Sequence, residues 1–314
     1  MVHINALPVR NTTGGTVYVH QGSTAKALAI DADIVDICAG PEHCAAIDTS
    51  GRKPHTKLSA VQVWTWGCAD HGALGHGDSD GPAIVTALGG VDVAAVSCGW
   101  QFTIALSTKG DLYAWGAFLD DECHAVPMGQ PACINRQFAL RRREKFAAIA
   151  AGIGHVLALT TRGRVLTWGY GKQYQLGWSC FERHPQQVAQ PRALNLQKIV
   201  RIASGYFHSF ATDAKGIVFA WGLNNAIQTG IEQRKPDYVK IPTRVGDLQD
   251  LAITAAKTHT FIRREHGIVI TFGTKTTAPL PPIKAVTAGN AFSVALADNS
   301  CVYWQDCGSD WEII

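Results

Sequence analysis

The sequence predicts an all-β chain folded as one β-propeller, and three observations carry that prediction. A motif recurs: Ala150-Ala151-Gly152-Ile153-Gly154-His155-Val156-Leu157-Ala158-Leu159 runs into Gly163-Arg164-Val165-Leu166-Thr167-Trp168-Gly169, with near-copies over 97–116 and 203–222. The reference glycines of the repeat, Gly99, Gly152 and Gly205, stand 53 residues apart (152 − 99 and 205 − 152), and each precedes the Gly of its Trp-Gly pair by 17. Self-similarity at this period marks a repeat architecture in which each unit hides its apolar face by stacking on the next. Within a unit, runs such as Asp111-Leu112-Tyr113-Ala114-Trp115-Gly116 and Val156-Leu157-Ala158-Leu159 are short, apolar and bounded by Gly, Lys, Asp or Arg, as strands are. Helical periodicity is nearly missing, and short strands in radial repetition are the way a propeller limits its sheet edges.

Degenerate copies extend the frame to both ends. Ala39-Gly40-Pro41-Glu42-His43 precedes Trp66-Gly67 across an insertion at 52–60. Ala255-Ala256-Lys257-Thr258-His259 precedes Phe272-Gly273, and Ala288-Gly289-Asn290-Ala291-Phe292 precedes Val302-Tyr303-Trp304. Gly15-Thr16-Val17-Tyr18-Val19-His20 is a second half without a first half. One domain over 1–314 follows, with units at about 14–60, 61–111, 112–164, 165–217, 218–267 and 268–300 and a partial unit at 301–314. Seven blades are expected, with six as the alternative, closed by N- and C-terminal strands such that 301–314 shares a blade with 1–20. The indoles of Trp66, Trp115, Trp168 and Trp221 are expected between blades, each followed by a Gly free to take positive φ.

Composition narrows the function classes. A single domain of 314 residues buries roughly three-quarters of its unfolded surface. Its net charge of +3 permits an acidic partner but falls short of a dedicated nucleic-acid binder. The nine cysteines are odd in number and contain no CxxC pair, and Cys38, Cys44 and Cys98 occupy strand-like runs. With Met1-Val2-His3-Ile4-Asn5 opening no apolar leader, they read as reduced thiols rather than disulfides or zinc ligands. No apolar run is long enough to cross a membrane as a helix. His43, His155, His208 and His259 share one slot of the repeat, but Phe102 and Phe292 fill that slot in other units, so it suits a buried imidazole bonded to a neighbouring strand and not a metal ligand or general base. His71, His76, Asp78 and Asp80 read as a surface turn. No catalytic motif is present, so no catalytic residue, cofactor, metal or small-molecule substrate is expected.

The residues also carry a family resemblance. Ala/Ser-Gly-x-x-His-x-Ala-Leu followed by Gly-x-Val-x-x-Trp-Gly resembles the repeat of the regulator of chromosome condensation family, nucleotide exchange factors for the small GTPase Ran, from about residue 14 to 306. Loops agree in order as well. Gly67-Cys68-Ala69-Asp70-His71-Gly72-Ala73-Leu74-Gly75 is similar to the family's second repeat. Trp115-Gly116-Ala117-Phe118-Leu119-Asp120-Asp121 and Val126-Pro127-Met128 resemble the two ends of its third-repeat wedge. Ser204-Gly205-Tyr206-Phe207-His208-Ser209-Phe210-Ala211 and Trp221-Gly222-Leu223-Asn224-Asn225 follow the fourth and fifth repeats.

The resemblance implies a guanine nucleotide exchange factor for a Ran-type GTPase, nuclear (cytoplasmic as the alternative) and associated with chromatin. It would act without covalent chemistry, by favouring the nucleotide-free GTPase. Phe118 and Leu119 would form the wedge body, and Asp120, Asp121 and Glu122 its acidic end. A second partner face would gather Trp100, Gln101, Tyr206, Phe207, Thr258, His259 and Asn290, which flank the reference position in their units. Arg141, Arg142, Arg143, Arg183 and Arg192 would offer basic contacts to histones, the nucleosome or an import receptor. The family's acids after the reference Gly of the second and third repeats are replaced by Trp100 or Gln101 and by Ile153 or Gly154, which supports the alternative of a propeller scaffold that docks proteins without exchange activity. Cys98-Gly99-Trp100-Gln101-Phe102-Thr103 is similar to a motif of the plant ultraviolet-B photoreceptor, but Ile153, Tyr206 and Lys257 fill the matching slot elsewhere.

Overall fold

The structure is a computed structural model, and it describes the chain except residues 1–4, 8–16, 22–23, 29, 31, 33, 49–60, 78–80, 120–124, 179–188, 233–236, 249–251, 268, 274–280, 289–291, 298–300, 307–311 and 314. Two compact units, Met1–Gly154 and His155–Ile314, make up the chain. Both are built from antiparallel sheets, and among the described residues helical structure is confined to 3-10 turns such as Asp70–Gly72 and Thr86–Leu88.

In the first unit, β1 (Asn5–Leu7), β2 (Val17–Gln21) and β3 (Thr24–Leu28) form a three-stranded sheet. β4 (Ile34–Ala39), β5 (His43–Asp48), β6 (Gln62–Gly67) and β7 (Ala83–Ile84) follow in chain order in a second sheet. β8 (Val93–Cys98), β9 (Phe102–Ser107), β10 (Leu112–Leu119) and β11 (Ala125–Cys133) form a third, and β12 (Phe146–Ala151) ends the unit. The second unit opens with β13 (His155–Thr160), β14 (Val165–Gly169) and β15 (Ala189–Ala193). β16 (Ile199–Ser204), β17 (His208–Asp213), β18 (Ile217–Leu223) and β19 (Tyr238–Asp247) make its next sheet. β20 (Ala252–Ala255), β21 (Thr260–Arg263) and β22 (Val269–Phe272) make a three-stranded one. β23 (Ile283–Ala288), β24 (Phe292–Ala297), β25 (Val302–Asp306) and β26 (Glu312–Ile313) complete the chain.

The repeat motif maps onto these sheets with one displacement. The sheets of β4–β7, β8–β11 and β16–β19 each begin at the strand before the reference Gly and run past the Trp-Gly pair, so these sheet boundaries fall inside the sequence units rather than at their edges. The expectation that 301–314 shares a blade with 1–20 is corrected: β25 pairs with β24 and β26 with β25, while β1, β2 and β3 pair among themselves.

Register explains the motif's spacing. The slot residue at the start of the second strand lies opposite the Gly of Trp-Gly: His43 opposite Gly67, Phe102 opposite Gly116, His155 opposite Gly169 and His208 opposite Gly222. Between them the hairpin closes on a turn glycine, as where Gly163, at φ 71°, donates its N–H to Thr160 O at 2.9 Å. The Gly of Trp-Gly is fixed by both conformation and space. Gly116 sits at φ 93°, and a Cβ there would lie 2.3 Å from the carbonyl oxygen of Gln101, so no larger residue fits.

The second strands are the cores of their sheets: every residue of β5, β9 and β13 is buried. Trp66, Trp115, Trp168 and Trp221 are all buried, as expected from the sequence. Trp115 packs into a cluster with Ala45, Ile47, Val61 and Val63 of the preceding sheet. Trp221 donates its indole N–H to the carbonyl of Gln175 at 2.8 Å, in the loop that follows β14. Trp115 and Trp221 therefore bridge successive sheets, and each contributes area burial of the size that makes aromatic residues dominate such cores.

Candidate functional site

The loops at the reference-Gly end of the sheets are built from the backbone outward. In the first unit Trp100 N–H donates to Ile153 O at 2.9 Å, and Ala117 N–H donates to Gln101 O at 2.7 Å. In the second, Tyr206 N–H donates to Ala256 O at 3.1 Å and Leu223 N–H to Phe207 O at 2.8 Å. Each loop is thus tied to the next repeat and to the residue after its own Trp-Gly pair. Trp100, Gln101, Tyr206, Phe207 and Thr258 are half-buried, which leaves part of each side chain for a partner. Phe207 lies beside Tyr170, ring centroids 6.5 Å apart. Asn290 and Arg183 lie outside the described residues.

The segment after Trp115-Gly116 is a hairpin. Ala117 pairs with Pro127, Phe118 with Val126 and Leu119 with Ala125, so β10 and β11 carry the sheet outward past the Trp-Gly pair instead of giving way to an irregular insertion. Its base is anchored at Gln101 through Ala117, which sets Trp100 and Gln101 next to it. One expectation is corrected: Phe118 is only 4% exposed, its ring 4.3 Å from that of Phe102, and it anchors the hairpin instead of forming a wedge surface. Asp120, Asp121 and Glu122 and the Leu119 side chain lie outside the described residues.

The repeat histidines form a separate, interior system. His43 Nε2 meets Thr103 Oγ1 at 2.8 Å, and His155 Nε2 meets Ser209 Oγ at 2.9 Å. His208 Nε2 meets Thr260 Oγ1 at 2.9 Å, and His259 Nε2 meets Ser293 Oγ at 2.7 Å. The hydroxyls in turn donate to loop carbonyls, Thr103 to Ala73, Ser209 to Gln175 and Thr260 to Gln228. Burial disfavours the imidazolium and lowers the His43 and His259 pKa values to about 4 and those of His155 and His208 to about 3. These rings are neutral at physiological pH and staple successive sheets. His259 is therefore corrected as a partner-facing residue: it is 3% exposed, held between Ser293 and Phe261.

Arg141, Arg142 and Arg143 are exposed on the turn before β12, where Glu144 accepts the Arg141 N–H at 2.8 Å. Arg192 is exposed on β15 with its guanidinium carbon 5.1 Å from the Trp178 ring centre. Among the described residues no group of three His, Cys, Asp or Glu converges as a metal site would. His76 bonds Thr65 Oγ1 and the Gly77 carbonyl. Sequence reasoning missed the buried glutamines Gln175 and Gln228, whose side-chain oxygens accept Gln173 N–H and Ala226 N–H and shape the loops under the tryptophans. The Gln-x-Gly that follows Trp168-Gly169 and Trp221-Gly222 was the available signal; Ala73-Leu74-Gly75 stands at that place after Trp66-Gly67.

Comparison with known proteins agrees with this architecture. Residues 13–304 match the RCC1-like domain family. Protein pim1 of Schizosaccharomyces pombe is 33% identical over 265 residues, 76% of this chain and 47% of its own length, so the chain spans about half of that relative. Guanine nucleotide exchange factor SRM1 of Saccharomyces cerevisiae is 25% identical over 90% of this chain and 71% of its own. The crystal structure of Prp20p from Saccharomyces cerevisiae, described with its binding to Gsp1p and histones, superposes with a TM-score of 0.74 at 26% identity over 88% of this chain and 72% of that one. Relatives of other roles, including a plant ultraviolet-B receptor, also match. The chain belongs to the RCC1-like domain family and carries its β-propeller fold.

Proposed function

We propose that this chain, as one propeller domain over 1–314, is a guanine nucleotide exchange factor for a Ran-type small GTPase, working in the nucleus next to chromatin. The observation that supports it most is the hairpin after Trp115-Gly116, tied at its base to the loop of Trp100 and Gln101, in a chain similar to an exchange factor and to a protein that binds Gsp1p and histones. In sequence Asp120, Asp121 and Glu122 stand between the two strands of the hairpin, whose base is tied to Gln101 next to Trp100. An exchange factor needs no bond-making residues. It binds the nucleotide-free GTPase more tightly than the loaded form, so factor and nucleotide weaken each other by the same factor. Acidic groups suit that task, because they compete with phosphate for the cations that hold it.

Replacing Asp120 and Asp121 by Ala should slow release of a fluorescent guanine nucleotide at least about a hundredfold, since each of the two charge-assisted contacts carries roughly 1.5–3 kcal/mol. Wild-type protein that leaves the release rate of its cognate Ran unchanged at micromolar concentration overturns the exchange reading. The scaffold reading draws on a specific feature: Trp100, Gln101, Ile153 and Gly154 stand where the family places acids. Stable capture of the GTPase with no acceleration of release would select it. Arg141, Arg142, Arg143 and Arg192 are the proposed contacts to an acidic histone surface.

A further inference from the structure

Cys38, near the end of β4, and Cys98, at the end of β8, come from neighbouring sheets and are 60 residues apart in sequence, yet their sulfurs are 2.9 Å apart. The backbones are pressed together at this point: a Cβ on Gly40 would lie 2.3 Å from Gly99 O and 3.1 Å from Cys98 Cβ. Gly40 N–H donates to His43 O and Gly99 N–H to Phe102 O, both at 2.8 Å, so the two loops that leave these cysteines are held by equivalent turns. An approach of about 1 Å brings the sulfurs to bonding distance. Cys38 is half-buried and Cys98 buried, so a small oxidant reaches Cys38 first and Cys98 stands behind it.

We propose that Cys38 and Cys98 are a paired modification site, oxidised by a small dialkyl disulfide such as oxidised glutathione to a reversible disulfide that clamps β4 to β8 directly beneath the Gly99-Trp100-Gln101 loop. The Cys38 thiolate attacks one sulfur of oxidised glutathione and releases one glutathione, leaving a mixed disulfide on Cys38. The Cys98 thiolate then attacks the Cys38 sulfur and releases the second glutathione. Two protein thiols and one glutathione disulfide become one protein disulfide and two glutathione molecules, and the thiol protons pass to solvent and the departing thiolates. Burial and the neighbouring Cys98 and Asp36 push the Cys38 thiol pKa up, so the first step is slow at neutral pH and quickens in alkali. Cys44, in the buried second strand at 0% exposure, is out of the oxidant's reach and does not compete.

The test is a peptide map of the full chain before and after incubation with oxidised glutathione, with exposed Cys133 as the internal control that the oxidant is active. The expected product is a Cys38–Cys98 linked peptide that carries no glutathione, disappears with dithiothreitol and raises the melting temperature of the oxidised protein. In Cys98→Ser the mixed disulfide on Cys38 should accumulate, and Cys44→Ala should leave the linked peptide unchanged. The proposal is overturned if Cys133 is glutathionylated while Cys38 and Cys98 remain thiols. It is equally overturned if wild-type Cys38 keeps its glutathione or links to Cys44. Any effect of the clamp on nucleotide release rests on the exchange reading, whereas the peptide map does not.

Discussion

Acidification is expected to unfold this protein through its slot histidines, at a pH well above the range where carboxylates titrate. His43 and His259 have folded-state pKa values of about 4, and His155 and His208 of about 3, against 6.5 for an unburied imidazole. Because the folded values lie below the unfolded one, the unfolded chain takes up protons first; stability is complete above about pH 6.5 and declines through pH 6.5 toward 3–4. At pH 5 each histidine withdraws about 2 kcal/mol, and the four together about 8 kcal/mol, which is comparable to the whole stability of a typical domain. The slope near pH 5 is about 1.4 kcal/mol per pH unit for each histidine. The double replacement His208→Phe/Thr260→Val, which copies the Phe102 and Val156 found at the same two slots of the preceding units, removes one titrating ring and should cut the slope by about a quarter. Urea titrations followed by circular dichroism at several pH values between 7.5 and 5 measure both quantities. Stability that stays flat over that range, or a slope unchanged by the double replacement, would refute the argument.

Trp115→Ala removes a fully buried indole between two sheets and should cost about 3–5 kcal/mol, read as a fall in melting temperature of many degrees. Gly116→Ala, which places a Cβ against Gln101 O at positive φ, should destabilise by at least about 1–2 kcal/mol and shift the loop that carries Trp100. Trp100→Ala removes a half-buried side chain and should weaken GTPase binding, measured by titration calorimetry, by about 2 kcal/mol while leaving the melting temperature within a degree or two. A sharp loss of stability in this last variant would make Trp100 a core residue.

Much of this molecule was legible because the repeat exposes its constraints several times over. The Trp-Gly spacing gave the strands, the burial of Trp66, Trp115, Trp168 and Trp221, and the interior role of His43, His155 and His208. His259 was read both ways, as a slot residue and as a member of the partner face beside Thr258, and the slot reading is the one its burial bears out. Phe118 misled because the wedge resemblance drew attention to its position and not to its packing on Phe102. The approach of Cys38 to Cys98 was not legible at all. It depends on how closely two sheets pack, and no single-chain pattern records that distance.

The slot pairs also indicate how successive sheets are matched. Where the slot is His, the next sheet presents a hydroxyl, as His43 with Thr103, His155 with Ser209, His208 with Thr260 and His259 with Ser293. Where the slot is Phe102, the position that follows in the next unit is Val156. A neutral ring nitrogen facing valine, or a hydroxyl facing phenylalanine, would bury an unmet polar group at about 1–3 kcal/mol, so the two residues are constrained as a pair even though they belong to different units. Repeat proteins distribute stability over such nearest-neighbour terms. The pairs His43–Thr103 and His208–Thr260 share no residue, and the combined variant His43→Phe/Thr103→Val/His208→Phe/Thr260→Val should therefore lose pH slope additively, about half of the four-histidine total. Measured slopes that fall short of the sum by more than about 0.5 kcal/mol per pH unit would show that the staples act as one cooperative unit and not as independent joints.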